Sequence, residues 1–481
     1  MTPHTRWNRI SGRLLLLVIM AGAICCCACL IASAVEAPGQ APPGWNGSPM
    51  NDTAPAGGAS PDGMMNGTPP GGMMPGASNG SSCVLSGAFT WDGETVTEEN
   101  GTYVSNTENV SALYVKNGTH GTLVNPTIET SGNTTSNDDS SFYGLNAAVL
   151  VAANSSVTVL GGSITTTGTG ANGAFPTGEN ASISLSGTTI NATGDGGHGV
   201  MATSGGLLTL EDVNITTAGA NSAPLATDRG SGTVNVTNGT VFSSGRDSPG
   251  MYSTGVITVN GTNVTATGSE AAVIEGSNSI TLTNTSLTGS AGTRDRGIMV
   301  YQSMSGDAEQ GIGTFTMTGG SYTWTSSTGP AFFVTNTNAT ITLSDVAVSS
   351  NASELVNASA GDWGTLGSNG GTVLFSAENE TLNGSIVADE ASSIMTVLRN
   401  DTTLLGAIVN ASLELDGTST WNVTADSALT ALVDPDGISG SAITNIVGNG
   451  FTVTYDADLE ANSVLDGRTY TLANGGTLTP T

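Results

Sequence analysis

Gly197-His198-Gly199 places an imidazole at a glycine-rich corner, with Asp195 close before it. Hydrolysis of a glycosidic bond needs two or three carboxyl groups around one sugar, one acting as acid and another activating water. Asp195 is single, and the nearest Asp-Asp pair, Asp138-Asp139, lies more than two repeat lengths upstream. That spacing favours a corner histidine over a catalytic one. Elimination from a uronate instead needs a basic residue beside the sugar carboxylate and Ca²⁺ held by stacked acids. The basic candidates are Arg229, Arg246, Arg294 and Arg296, each beside an acid: Asp228, Asp247 or Asp295. Neighbouring opposite charges at a corner are expected to pair with each other. A further constellation comprises Asp228, Arg229, Glu275, Tyr301 and Gln302, on segments about one register apart. Carboxylates with an aromatic would suit a shallow sugar or Ca²⁺ site, since tyrosine stacks on sugar faces. Solvated corner residues are the simpler expectation for the same set.

These residues are positioned by a repeat. Between about Ala147 and Val334, a small or apolar triplet is followed by an apolar-Thr-apolar triplet and a lone Val or Ile. The opening triplets include Val149-Leu150-Val151, Gly199-Val200-Met201, Gly250-Met251-Tyr252 and Gly297-Ile298-Met299, at steps of about 25 residues. The second motif reads Val157-Thr158-Val159, Ile183-Ser184-Leu185, Val234-Asn235-Val236 and Ile280-Thr281-Leu282. Alternation with a period of two means strands. Three strands in about 25 residues cannot bury an apolar face alone, whereas stacked copies share a continuous core. The fold class is therefore all-β: a parallel β-helix solenoid, with apolar residues filling the bore and Thr or Asn columns outside; the resemblance given below implies that it is right-handed. An insertion stretches the step after Ile298, and beyond Gly371 the coils shorten to about 20 residues.

Four regions follow. Residues 1–34 carry Arg6, Arg9 and Arg13 before the apolar run Leu14 to Ile31, ending in Ala32-Ser33-Ala34: a signal peptide or an N-terminal membrane anchor. Residues 35–82 are rich in Pro, Gly and Met and are expected to form a disordered tether. Residues 83–372 form the β-helix, beginning with an N-terminal cap and a loop at Ser136 to Ser141. Residues 373–481 form the shorter-coil continuation and C-terminal cap.

The chain has 481 residues and a formal net charge of -29. Lys116 is its single lysine, and six arginines follow the N-terminal run. A basic groove for a phosphate backbone is not available, which argues against nucleic acid as a partner. Only Cys83 lies outside the N-terminal run, so no intrachain disulfide framework exists. Export is expected, with any membrane attachment through the N-terminal segment. Twenty-five of 39 asparagines begin an Asn-x-Ser/Thr sequon, including Asn154, Asn180, Asn191, Asn214, Asn235, Asn260, Asn263, Asn284 and Asn338. These are glycosylation candidates, though Asn-Gly-Thr and Asn-Ala-Ser are also good turn sequences. A regular Thr array would also suit ice recognition, but Phe242 interrupts the third-strand column.

Four segments are unusual: Ser141-Phe142-Tyr143-Gly144, Ala226-Thr227-Asp228-Arg229-Gly230, Tyr301 to Ala308, and Trp363 to Gly371. Together with the stacked phrase and Ala442 to Gly450, they resemble exported, adhesin-like right-handed parallel β-helix proteins of the pectate-lyase-like fold, which are mostly uncharacterised. Pectin-degrading hydrolases on that fold carry a Gly-His-Gly near paired aspartates; the closer resemblance brings no catalytic assignment. It implies a non-enzymatic cell-surface or secreted protein, adhesin-like or binding polysaccharide or cell-surface glycan. The alternatives are a polysaccharide lyase or hydrolase, and a structural cell-envelope protein without ligand. No cofactor is expected, and Ca²⁺ is the one ion the acidic set would suit.

Overall fold

The computed structural model describes residues 83–481, so the expectations for residues 1–34 and 35–82 lie outside the described residues. Forty strands among them join one sheet. Nearly every pairing is parallel and links a strand to its counterpart one coil away, as in Val149 to Ala174 to Val200 to Leu225 to Met251. The chain is a right-handed parallel β-helix.

Register follows the alternation read from the sequence. In the second strand of each coil, Val157, Ile183, Leu208, Val234, Ile257, Ile280 and Phe315 align and are buried in the bore. The residues between them, Thr158, Ser184, Thr209, Asn235, Thr258, Thr281 and Thr316, form a matching outer row. In four coils the second and third strands fuse into one bent strand, such as Leu207–Thr217 and Ser279–Gly289. The bend is taken by residues in the left-handed region, such as Asp212 and Asn284. Phe242 stands between Thr216 and Thr265 in the outer third-strand row.

The two ends of the described stack are built differently. Gly87–Asp92, Thr95–Glu99 and Thr102–Ser105 make a full coil, paired strand for strand with the next. Buried Trp91 and Tyr103 fill this layer, the first among the described residues. At the other end, antiparallel pairs Ile438–Ser439 with Ala442–Val447 and Tyr470–Ala473 with Thr477–Pro480 interrupt the stacking. A 3-10 helix, Glu460–Leu465, lays Leu465 over the last layer. Its Asn462 accepts from Leu432 N at 3.0 Å and donates to Thr430 O at 2.8 Å, satisfying strand groups that lack a next coil.

The shorter coils are present: Val373 pairs with Ile394, and Ile386 with Ile408. No helix among the described residues is long and apolar enough to cross a membrane.

Candidate functional site

The first strand of each coil is apolar at three successive positions because both of its faces are buried. Its flanking residues enter the bore. Its middle residue points outward into a second apolar cluster: Leu150, Phe175, Met201, Ala226, Tyr252, Val273, Met299 and Phe333. A strand buried on both sides reads as a continuous apolar run rather than as alternation.

Three segments outside the repeat cover this face. The first is a helix, Asn137–Tyr143, where the sequence suggested a loop. Ser136 caps it by accepting from Asp139 N at 3.1 Å, and Asp138 and Asp139 occupy its first turn. The Asp-Asp pair therefore serves the helix N-terminus, where negative charge is favoured. Gly144 ends the helix at φ 74°, and a Cβ there would lie 2.6 Å from Phe175 and 2.7 Å from Leu150. Only glycine permits both the turn and the close packing. The second segment, Ser303 to Ala308, leaves the strand Ile298–Tyr301; the third, around Trp363, follows the strand Glu354–Ala358.

Beneath them lies the predicted ligand set. Asp228, Glu275, Tyr301 and Gln302 are all buried, not solvated at corners, with Glu275 at 0% exposure. Glu275 and Tyr301 are directly paired in register, and Thr254 lies on the coil between Asp228 and Glu275. Glu275 Oε2 accepts from Tyr252 Oη at 2.6 Å and Tyr301 Oη at 2.9 Å, while Oε1 accepts from the Ser303 hydroxyl. Arg229 meets Asp228 through its backbone and not through its guanidinium. Its backbone N–H donates to Asp228 Oδ1 at 2.7 Å, and its guanidinium donates to Asp307 Oδ1 from Nε at 2.9 Å and from Nη2 at 2.5 Å. Gln302 Nε2 donates to Ala308 O at 3.2 Å.

Asp307 thus holds the guanidinium, Asp228 the Arg229 backbone, and Glu275 the hydroxyls. Burial, the nearby charges of Asp307 and Glu275, and only partial compensation from Arg229 push Asp228 up to about 7. Burial and the Glu275 charge likewise hold the Tyr252 and Tyr301 hydroxyls protonated well beyond their ordinary range. Asp307 Oδ2, Gln302 Oε1 and Thr254 Oγ1 are buried without hydrogen-bond partners. No group of three or more His, Cys, Asp or Glu among the described residues has the geometry to hold a metal ion.

The same face collects arginine on aromatic rings. Arg229 lies over Phe142 with its Cζ 3.7 Å from the ring centroid, Arg294 over Trp363 at 4.3 Å, and Arg296 over Phe333 at 4.0 Å. The Tyr301 and Trp363 rings are 4.6 Å apart. Arg246 and Asp247 join each other, at 2.5 Å. Asp295 accepts from the Thr328 hydroxyl.

His198 is held apart from this cluster. Its backbone N–H and Nδ1 meet Asn172 Oδ1 at 2.9 and 3.0 Å, which makes Nδ1 the protonated nitrogen. Burial lowers its pKa to about 4, and Nε2 is buried without a partner. It lines a small depression with Asn137, Ser141, Thr169, Asp195 and Asn221. Asp195 accepts from Ala220 N at 2.8 Å, so it braces the corner.

Eight of the nine highlighted sequon asparagines are exposed, and Asn235 is half-buried. Asn154 and Asn180 are in the left-handed region of turns and Asn284 takes the left-handed bend of a fused strand, whereas Asn191, Asn214, Asn235, Asn260, Asn263 and Asn338 lie in strands. Turn chemistry therefore accounts for only part of the sequon excess.

Phe142, Tyr252, Ser303, Asp307 and Trp363 belong to the cluster but were not singled out from the sequence. Apart from Tyr252, all lie in segments that break the repeat, and that interruption was the available signal. Fold and site together define a parallel β-helix whose non-repeat segments converge on one face. No protein-family model and no curated protein matches the chain.

Proposed function

We propose that this is a non-enzymatic, exported β-helix protein, adhesin-like in character, that binds polysaccharide or cell-surface glycan with its loop-covered face. The observation that carries this reading is the convergence of the Asn137–Tyr143 helix, Ser303 to Ala308 and the Trp363 segment over one set of strands. Binding residues sit on loops held by a rigid scaffold. Each covering segment exposes one apolar side chain: Tyr143 at 42%, Met304 at 65% and Leu366 at 91%. With the arginines beside them, these supply the stacking and hydrogen-bonding chemistry that sugars require. Asp228, Arg229, Glu275, Tyr301 and Gln302 shape and brace that surface from below. The enzyme reading is disfavoured because the carboxylates are buried and engaged with protein partners, whereas glycoside cleavage needs two of them open to the substrate.

The test is a glycan array and polysaccharide pull-down with the full chain, with and without Ca²⁺, while unsaturated and reducing-end products are followed. Saturable binding without product, weakened at least tenfold by Tyr143→Ala, supports the proposal. Product release would replace it with a lyase or hydrolase, and neither signal would leave a structural envelope protein.

A further inference from the structure

Asp228, Glu275 and Asp307 come from three different segments, and two of them anchor the same cover. Ser303 donates its hydroxyl to Glu275, and Asp307 receives the Arg229 guanidinium, so Ser303 to Ala308 is fastened at both ends to the acidic cluster. Between these anchors the segment carries Gly306 at φ 79°, with open space around its Cα, and the largely exposed Met304. Beneath it lie Tyr252, Tyr301, Glu275 and Asp228, a floor of two aromatic rings and two carboxyl groups.

We propose that Ser303 to Ala308 is a proton-operated lid, closed while Asp228 beneath it is protonated and released when that proton leaves. The groups facing Asp228 are Arg229 on its own segment, Glu275 two coils on, and Asp307 on the lid. Tyr252 and Tyr301 face Glu275, with Arg294 acting on Tyr301 from the preceding corner. The helix brings Phe142 to Arg229, while its Asp138 and Asp139 lie in the first turn at its far end. With Asp228 neutral, one guanidinium and three hydroxyl donors serve two carboxylates. With Asp228 ionised, its donor is the Arg229 backbone N–H while the three hydroxyls stay on Glu275, and the strongest repelling charge is the lid's own Asp307. The cheapest relief is to move Asp307 into water, which also frees Ser303 from Glu275.

The sign follows from the raised Asp228 value of about 7. An opened lid returns Asp228 to its ordinary range near about 3.9, so the closed state binds more protons between those limits. The opening constant therefore rises about tenfold from pH 6 to pH 8 and levels off above. This lid stands independently of which ligand the chain takes; only a ligand role for the uncovered floor rests on the function proposed above.

The test is hydrogen–deuterium exchange of the full chain, corrected for intrinsic rates, on peptides spanning Ser303 to Ala308. Protection falling about tenfold between pH 6 and 8, with neighbouring coils unchanged, is the expected result. Asp228→Asn keeps the lid protected across that range, and Asp307→Asn leaves it unprotected at every pH. Should Asp228→Asn fail to fold, Asp228→Thr substitutes the residue that this column carries at Thr203 and Thr254. A pH-independent wild-type lid overturns the proposal, as does a folded Asp228 variant that retains the wild-type slope. A polysaccharide result of either sign leaves this readout untouched.

Discussion

Arg229 joins the Phe142 ring, 3.7 Å away on the helix, to the Asp307 carboxylate, 2.5 Å away on the Ser303 to Ala308 segment. A single planar cation thus links two covers that are far apart in sequence. The Asp307 side chain is 0% exposed, whereas that of Arg229 is 48% exposed. Arg229→Ala strands a buried carboxylate and should cost about 2 kcal/mol, below the fully buried case because half of the guanidinium already meets water. Urea unfolding checks this. The double variant Arg229→Ala/Asp307→Asn should recover part of the loss, and Arg229→Lys should recover little because lysine lacks the flat fork.

Glu275 is held by three hydroxyl donors at a fully buried position. Glu275→Gln turns an accepting oxygen into an N–H₂ facing a tyrosine hydroxyl, at a cost of about 2 kcal/mol. Tyr252→Phe and Tyr301→Phe each remove one donor and should cost about 1 kcal/mol. If thermal unfolding ranks the tyrosine variants as more damaging than Glu275→Gln, the cluster is organised around the rings instead.

Two buried groups pull the pH dependence of stability in opposite directions. Asp228, raised to about 7, makes the folded state hold an extra proton between about pH 4 and 7, so its stabilising effect is lost as pH rises through that window. His198, lowered to about 4, makes the folded state hold one fewer proton from there to its ordinary value, so stability rises with pH across that range. The wild-type profile between about pH 4 and 6.5 should therefore be shallow. Asp228→Asn should leave stability rising with pH, and His198→Gln should leave it falling. Unfolding titrations in a pH series would refute this pairing if both variants kept the wild-type slope.

Gly144→Ala adds a methyl group at a positive φ and within 2.7 Å of Phe175 and Leu150. The helix should detach while the coils remain intact. Hydrogen exchange would show protection lost over Asn137–Tyr143 and kept over Val149–Val151.

Asn180 Nδ2 donates to Asn154 Oδ1 at 3.1 Å, one coil apart. Adjacent strands are separated by only about 4.8 Å, too little for two glycans side by side. Glycopeptide mass spectrometry of the protein produced through a glycosylating secretory pathway should find Asn154 and Asn180 modified in alternation, never together on one chain.

Much of the architecture was legible because stacking repeats the same physical demand in every coil. Val157, Ile183 and Leu208 needed only a shared period to be placed in one bore column. The double-sided burial of Leu150, Phe175 and Met201 was less legible, since an apolar triplet does not say what covers its outer face. Ser136 to Ser141 read as a loop because Ser, Asn and Asp favour turns; the same residues also cap and open a helix. The proximity of the candidate residues followed from register, with Glu275 and Tyr301 in direct pairing. Their depth did not, because burial came from segments with no period to predict their path.

The sequence by itself determined the coil, its strand alternation and the inventory of acids and arginines available to one face, because each is a local property repeated along the chain. Tertiary structure alone decided that Arg229 reaches Asp307, 78 residues away, and that Tyr301 meets Trp363. Such contacts depend on how aperiodic segments fold back over the stack, and their chemistry arises from the burial that this folding imposes on Asp228 and Glu275.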